Sequence, residues 1–491
     1  MHDALALPIR DIAEQVRQGK LGAEELARSS LESIEGKREL NAFLHVARDA
    51  ALAAARKVDE KRARGEELGS LAGVPIAVKD ALATRDAPTT CGSRMLESWQ
   101  PVFDATVIER LRAADAVIVG KTNMDEFAMG SSGENSAYGP AKNPWDHSRI
   151  PGGSSSGSAV AVAAGMVPAA LGSDTGGSIR QPAALSGVVG VKPSYGRVSR
   201  YGLVAFASSL DQVGPFARDV KSAARTLAVI AGNDARESTS SREAVGAYEA
   251  ACERDVRGLR IGVPRDYAGP GLDAGVARSI QSAIARLESE GCEIRPIDLP
   301  HARYGVSTYY VVATAEASSN LARFDGVRYG LRIEPPGSSL DRMYSSTRAA
   351  GFGREVKRRI LLGSYVLSAG YYDAYYKKAQ QVRTLIRRDF EQAFAEVDAI
   401  AMPTSPTPAF PLGERVDDPL SMYLADVYTL PASLAGVAAI SVPVAPTPAE
   451  NSRPELPVGL QLIAPAFQEE RLFTLAARSE LLSPWQSRIA P

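Results

Sequence analysis

The 491 residues, 45% hydrophobic and 23% charged, are enough for one large α/β domain with insertions or about three average domains. A core of that size needs neither disulfide nor metal to fold. The formal net charge of −1 offers no concentrated positive field, which argues against this chain alone gripping a nucleic-acid backbone. Three cysteines with no CxxC pair and four histidines with no HExxH spacing argue against a disulfide framework, a zinc ribbon or a zinc-protease helix, and they point to a reducing cytoplasm.

The N-terminus lacks a basic-then-apolar leader pattern. Ile9, Ile12, Ala13 and Val16 recur at helical spacing, as do Leu26, Leu31 and Ile34, and Ala50–Arg64 has the composition of an exposed helix, so residues 1–70 read as an N-terminal helical region. Short β-branched runs follow at Val74–Val78, Ala116–Val119, Val188–Val191, Leu259–Val263, Ile400–Met402, Ile440–Val444 and Val458–Ile463. Helical patterns separate many of them; those at Asp104–Ala114, Asp219–Ala231 and Asp273–Glu290 each begin with an aspartate suited to cap the first turn. The longest apolar stretch, Ala159–Leu171, is too short and too rich in alanine to span a bilayer and reads as a buried helix running into a strand, so no membrane partner is expected. Residues 233–256 read as a polar connection, and 302–395 as a mostly helical, tyrosine-rich insertion within a domain covering 71–491. Strands alternating with helices predict an α/β fold: a large mixed, mainly parallel β-sheet covered by helices on both faces.

Two clusters stand out from this frame: Gly152-Gly153-Ser154-Ser155-Ser156-Gly157-Ser158, and Gly172-Ser173-Asp174-Thr175-Gly176-Gly177-Ser178-Ile179-Arg180. Both are flanked by apolar segments, unlike a flexible linker, and small residues there let backbone N–H groups crowd around an anionic atom. Neither is a phosphate loop: Gly120-Lys121-Thr122 has the right tail, but Asp115 stands where the upstream glycine belongs. No GxGxxG occurs in either cluster. Gly153-Ser154-Ser155-Ser156-Gly157 formally fits GxSxG, but that elbow needs a later acid and then a histidine, and only His301 lies downstream. A lysine, Lys79, ends the apolar run Val74–Val78, where it either reaches solvent or points into the crevice at the end of a parallel strand.

Lys79 together with GGSSSGSAVAVAAG at 152–165 and GSDTGGSIRQPA at 172–183 resembles the amidase signature family. The likeness runs through NMDEFAMGSSGENSAYGPAKNPW at 123–145, YGLVAFASSLDQVGP at 201–215, YYVVATAEASSNLARFDGVRYG at 309–330 and EVKRRILLGSYVLSAGYYDAYYKKAQ at 355–380, and it is closest to the branch of that family that serves heterotrimeric tRNA-dependent amidotransferases. Ala81, where the family often has asparagine, and Gly133, where it usually has a hydroxyl residue, depart from the pattern. The resemblance implies Ser178 as nucleophile, Ser154 as relay behind a cis peptide, and Lys79 as base. It also implies that glutamine is hydrolysed, that two other subunits complete the complex, and that ammonia serves to amidate glutamate or aspartate carried on tRNA. The tRNA and ATP with Mg would then be held by a partner, with no cofactor on this chain. A free-standing amidase acting on another small amide is the alternative.

Lys79 acts as a base only if burial lowers its pKa from about 10.4 to around 7–8, a penalty of roughly 4 kcal/mol on the charged form. Contact with neighbouring Asp80 would keep it charged; strand alternation places Asp80 on the opposite face. The backbone N–H groups of Thr175, Gly176, Gly177 and Ser178 suit an oxyanion hole. Asp174 either braces that loop or is an ordinary turn residue. Glutamine needs one cation and one anion, and the resemblance points to Tyr310, Arg359 for the carboxylate and Asp426 for the ammonium, with Tyr309 and Arg358 as adjacent alternatives.

Overall fold

The computed structural model describes residues 2–269, 271–449, 454–485 and 488–490. Its centre is one sheet of eleven strands: β1 (Phe43–Val46), β2 (Pro75–Lys79), β3 (Val117–Thr122), β4 (Ala169–Asp174), β5 (Val189–Lys192), β6 (Gln212–Ala217), β7 (Arg260–Pro264), β8 (Glu293–Ile297), β9 (Ala399–Pro403), β10 (Ala438–Pro443) and β11 (Gly459–Ala464). The spatial order is β1-β3-β2-β4-β6-β5-β10-β11-β9-β7-β8.

Both faces are covered, as alternation along the strands records. Ala438, Ile440 and Val442 of β10 and Leu460 and Leu462 of β11 enter one apolar cluster, while Ala439 and Ile463 enter another on the opposite face. The first cluster takes in the N-terminal helices Ile9–Arg17, Ala23–Gly36 and Arg48–Ala63 together with Val220–Ile230, Ala274–Ser289 and Glu469–Leu481. The second is built on Gly305–Asn320, Arg354–Val366, Lys378–Glu396 and Leu430–Ala435. The N-terminal helical segment thus shares its core with the sheet, and it also contributes the edge strand β1.

The sheet is mixed, as expected, but not mainly parallel. Parallel pairing is confined to β3-β2-β4 and β9-β7-β8, and six of the ten pairings among the described residues are antiparallel. The cause is in the connections. Residues 193–211 between β5 and β6 and 444–458 between β10 and β11 contain no helix among the described residues, so the chain doubles back rather than crossing over. Strands β4, β6 and β8 carry weak sequence signals: β4 is mostly small residues, Gly214-Pro215 interrupts β6, and β8 is an exposed edge with Glu293, Arg295 and Pro296.

Helices Gly305–Asn320, Leu340–Gly351, Arg354–Val366 and Lys378–Glu396 occupy much of 302–395, and helix Ser156–Ala163 is followed by β4. Asp219 and Asp273 cap their helices, accepting from Ser222 N at 2.7 Å and from Gly275 N at 2.7 Å and Val276 N at 3.0 Å. Asp104 does not cap: its helix starts from Ala105 without a side-chain bond, and the Asp104 carboxylate instead accepts from Arg85 N at 2.8 Å. Among the described residues no helix is long and apolar enough to cross a membrane.

Asp219 also accepts from Ser222 Oγ at 2.6 Å, so Asp219→Ala removes two bonds at one helix start. The expected cost is about 1–2 kcal/mol, read as a lowered unfolding midpoint; an unchanged midpoint would show that the cap contributes nothing.

Candidate active site

Strands β2 and β4 are parallel neighbours, and their carboxyl ends bring Lys79 and the 172–180 loop together. Lys79 is fully buried. Its Nζ lies 2.7 Å from Ser154 Oγ, 2.9 Å from Ser155 Oγ, 2.9 Å from Ser173 Oγ and 3.4 Å from Ser173 O. Among the described residues no carboxylate pairs with it. Asp80 points to the other face, where it forms an ion pair with Lys121 at 3.0 Å and accepts from Thr90 N at 2.9 Å. Burial therefore pushes the Lys79 pKa down to about 7, against the opposing pull of the more distant Asp125, Asp174 and Asp211.

The hydroxyl shell is arranged to suit an uncharged amine. Ser155 Oγ donates to Ser173 O at 3.1 Å, so toward Lys79 it accepts. An uncharged amine that gives one N–H to Ser155 and one to Ser173 keeps its lone pair for the Ser154 hydroxyl. Ser154 follows a cis peptide from Gly153, and its carbonyl accepts from Asp125 N at 3.1 Å. The same Asp125 holds Gly133 N at 3.0 Å and Asn135 N at 2.9 Å, tying the 131–135 loop to the serine cluster. Gly133 sits at φ +84°, and a Cβ there would lie 2.7 Å from Ser156 Cβ, so a side chain at this position would require Ser156 to shift.

Ser178 is 7% exposed, and its carbonyl accepts from Ser155 N at 3.3 Å. Among the described residues its hydroxyl makes no hydrogen bond, so the Lys79–Ser154 contact is formed and a Ser154–Ser178 hydroxyl bond is not. Such contacts commonly close only when substrate is bound. The N–H groups of Gly176, Gly177 and Ser178 have no acceptor among the described residues. Side chains are excluded from this loop by contact: a Cβ on Gly176 would lie 2.8 Å from the Tyr309 ring, and one on Gly177 2.4 Å from Thr429 Oγ1.

Asp174 braces the loop. Its carboxylate takes Arg180 Nε at 3.0 Å and Nη2 at 2.9 Å, both side chains being fully buried, and accepts from Ile179 N at 3.2 Å. Burial pushes its pKa up, but Arg180 outweighs burial and holds it below the usual range. Arg180 also donates to Thr429 O, Gln461 Oε1 and Ser433 Oγ, at 2.9, 2.7 and 2.8 Å, which ties the loop to residues 429–433.

Asp426 lies across that junction. Ser131 Oγ donates to its Oδ2, while its Oδ1 is buried with no hydrogen-bond partner among the described residues, 3.1 Å from where a Gly177 Cβ would be. Burial pushes its pKa up to about 7. Tyr309 presents its ring to Gly176. Tyr310 packs edge-on behind it, with centroids 5.1 Å apart, and stacks on Tyr423 at 3.8 Å. Arg359 is buried, 5.1 Å from the Tyr310 centroid, and Nε is the only one of its nitrogens bonded among the described residues, to Glu355 at 2.8 Å. Arg358 is half-buried on the same helix. A cavity of about 50 Å³ reaches this group, lined by Gly130, Ser132, Glu355, Arg359, Tyr423 and Arg358. A larger cavity of about 570 Å³ lies over the ends of β7 and β9, and none of Lys79, Ser154 and Ser178 lines it.

Sequence reasoning missed Ser131, Ser155, Ser173 and Asp125. The serines stand in runs already singled out, but their pairing with Lys79 and Asp426 is long-range. Among the described residues no group of three or more His, Cys, Asp or Glu is placed to hold a metal.

A family model described as Amidase matches residues 25–473. The chain is 56% identical over 483 residues to the A subunit of the glutamyl-tRNA(Gln) amidotransferase of Streptomyces coelicolor, covering 98% of this chain and 96% of that protein. The crystal structure of the A subunit of the glutamyl-tRNA(Gln) amidotransferase from Thermotoga maritima matches with a TM-score of 0.79 at 42% identity, covering 96% of this chain and 94% of that one. The native peptide amidase of Stenotrophomonas maltophilia matches with a TM-score of 0.80 at 31% identity, covering 99% and 97%.

A base of pKa about 7 is protonated below that pH and cannot accept a proton. Amide hydrolysis is therefore expected to fall by about tenfold per pH unit below 7 and to level off above it; a flat profile from pH 5 to 8 would remove Lys79 from the base role. Asp174→Asn leaves Arg180 buried without its anion and is expected to destabilise the fold by about 3–5 kcal/mol, measured by equilibrium unfolding.

Proposed function

Because this chain belongs to the amidase signature family, we propose that it hydrolyses glutamine through an ester on Ser178 and passes the ammonia to a partner subunit. The supporting observation is a buried amine, its pKa pushed down to about 7, lying 2.7 Å from a serine hydroxyl beside a loop flanked by a carboxylate oxygen that has no hydrogen-bond partner among the described residues.

In this reading Ser178 gives its proton to Ser154 as Ser154 gives its own to Lys79, and the freed Ser178 oxygen attacks the side-chain amide carbon. The oxyanion is received by the N–H groups of Thr175, Gly176, Gly177 and Ser178, each typically worth two to three orders of magnitude in rate, about 3–4 kcal/mol. The relay then runs backward, the C–N bond breaks, and the departing nitrogen takes the proton and leaves as ammonia. Water attacks the ester by the same relay, releasing glutamate and restoring the Ser178 hydroxyl. Arg359 takes the α-carboxylate and Asp426 the α-ammonium, with Asp426 ionised once the cation is beside it. Tyr309 borders the loop, and Tyr310 supports Arg359 from behind.

The ammonia then amidates glutamate carried on tRNA(Gln), or aspartate on tRNA(Asn), in a heterotrimer whose other two subunits bind tRNA and use ATP with Mg. A net charge of −1 on this chain fits that division. Three free, buried cysteines suit a reducing cytoplasm. A free-standing amidase for neutral amides would have no use for the Arg359–Asp426 pair.

The test is ammonia release from glutamine by the assembled complex, with and without mischarged tRNA. Release that is stimulated by the tRNA and abolished by Ser178→Ala is expected. Full activity in the Ser178→Ala complex, or an isolated chain that prefers aryl amides to glutamine, would overturn the reading.

A further inference from the structure

We propose that Glu355 is a positioning residue that fixes the glutamine α-carboxylate site by orienting the Arg359 guanidinium. The inference rests on the reading of Arg359 given above. Glu355, Arg358 and Arg359 sit on one face of the helix Arg354–Val366, at i, i+3 and i+4. The Glu355 carboxylate is buried and fully engaged. Oε1 accepts from Arg359 Nε at 2.8 Å and from Tyr423 OH at 3.0 Å, and Oε2 accepts from Arg358 Nη1.

An arginine offers a carboxylate either its Nε edge or the edge between its two Nη groups. Glu355 occupies the first, so the second is what Arg359 presents to a ligand. The aromatic walls restrict the guanidinium further: it lies 5.1 Å from the Tyr310 centroid, 5.5 Å from Tyr423 and 5.7 Å from Phe206. One of those walls depends on the same carboxylate, because the Tyr423 hydroxyl donates to it while the Tyr423 ring stacks on Tyr310. Glu355 thus holds the arginine and part of its cage.

Charge balance points the same way. Two guanidinium groups share the one Glu355 carboxylate, leaving an excess of positive groups in an open cavity that Arg354, Arg415 and Glu134 also line. A ligand carboxylate would neutralise it. The helix that carries the group is itself docked to the core, with Gly353 N donating to Glu126 Oε2 at 2.7 Å and Glu126 Oε1 accepting from Ser93 Oγ at 2.5 Å.

The test compares Glu355→Gln and Arg359→Ala in the assembled complex on two substrates: glutamine, and 4-aminobutanamide, which is glutamine without its α-carboxylate. Losing one charged hydrogen bond should raise the KM of Glu355→Gln for glutamine by about 10- to 100-fold, with kcat little altered and turnover of 4-aminobutanamide retained. If Arg359→Ala raises the glutamine KM and Glu355→Gln does not, the positioning role is wrong and the reading of Arg359 survives. If Arg359→Ala leaves the glutamine KM unchanged, that reading fails and this inference fails with it. Equal losses on both substrates in Glu355→Gln mean that the residue only holds the fold together, which also overturns the proposal.

Discussion

The site depends on one buried amine that has hydroxyl neighbours and, among the described residues, no carboxylate bonded to it. A lysine in water stays charged well above neutral pH; in a dry pocket the charged form loses its solvation and only a counter-ion restores it. Around Lys79 the compensation comes from three serine side chains and a carbonyl, which can bond an uncharged amine as readily as a charged one. Burial of the whole Pro75–Lys79 strand between helices is what makes the pocket dry.

This arrangement holds because every nearby acid is engaged elsewhere. Asp80 serves Lys121 and Thr90 on the far face, and Asp174 is locked to Arg180. Asp211 accepts from Thr175 Oγ1 at 2.7 Å, and Asp125 from two backbone N–H groups. Burial pushes Asp125 and Asp211 up to about 6, which leaves both mostly ionised at neutral pH, and their pull on Lys79 is outweighed by its own burial. The same partners shape the loops around the amine, so these acids act both electrostatically and mechanically.

Two groups of elements meet at the candidate site. In the proposed reaction, strand ends and the two Gly/Ser turns would supply base, relay, nucleophile and oxyanion donors. The helix Arg354–Val366 and the segment 423–430 would supply the charged and aromatic groups that receive the proposed substrate. They meet at Gly176 and Gly177, where Tyr309, Thr429 and Asp426 approach the backbone too closely for any side chain.

The sequence by itself determined the local pieces. The two Gly/Ser runs, the lysine closing an apolar strand, the caps at Asp219 and Asp273 and the helical stretch of the insertion are all written in a few adjacent residues, whose backbone preferences act without help from distant contacts. Strand alternation was enough to turn Asp80 away from Lys79. Only the tertiary structure decided what depends on partners far along the chain. That includes the antiparallel centre of the sheet, Asp104 serving Arg85 instead of its own helix, Ser155 and Ser173 around Lys79, and Ser131 on Asp426. It also includes the division between Tyr309, which borders the glycines, and Tyr310, which backs Arg359. The reason is physical: a buried polar group takes whichever partner the packing brings within hydrogen-bonding distance, and packing is a property of the whole chain.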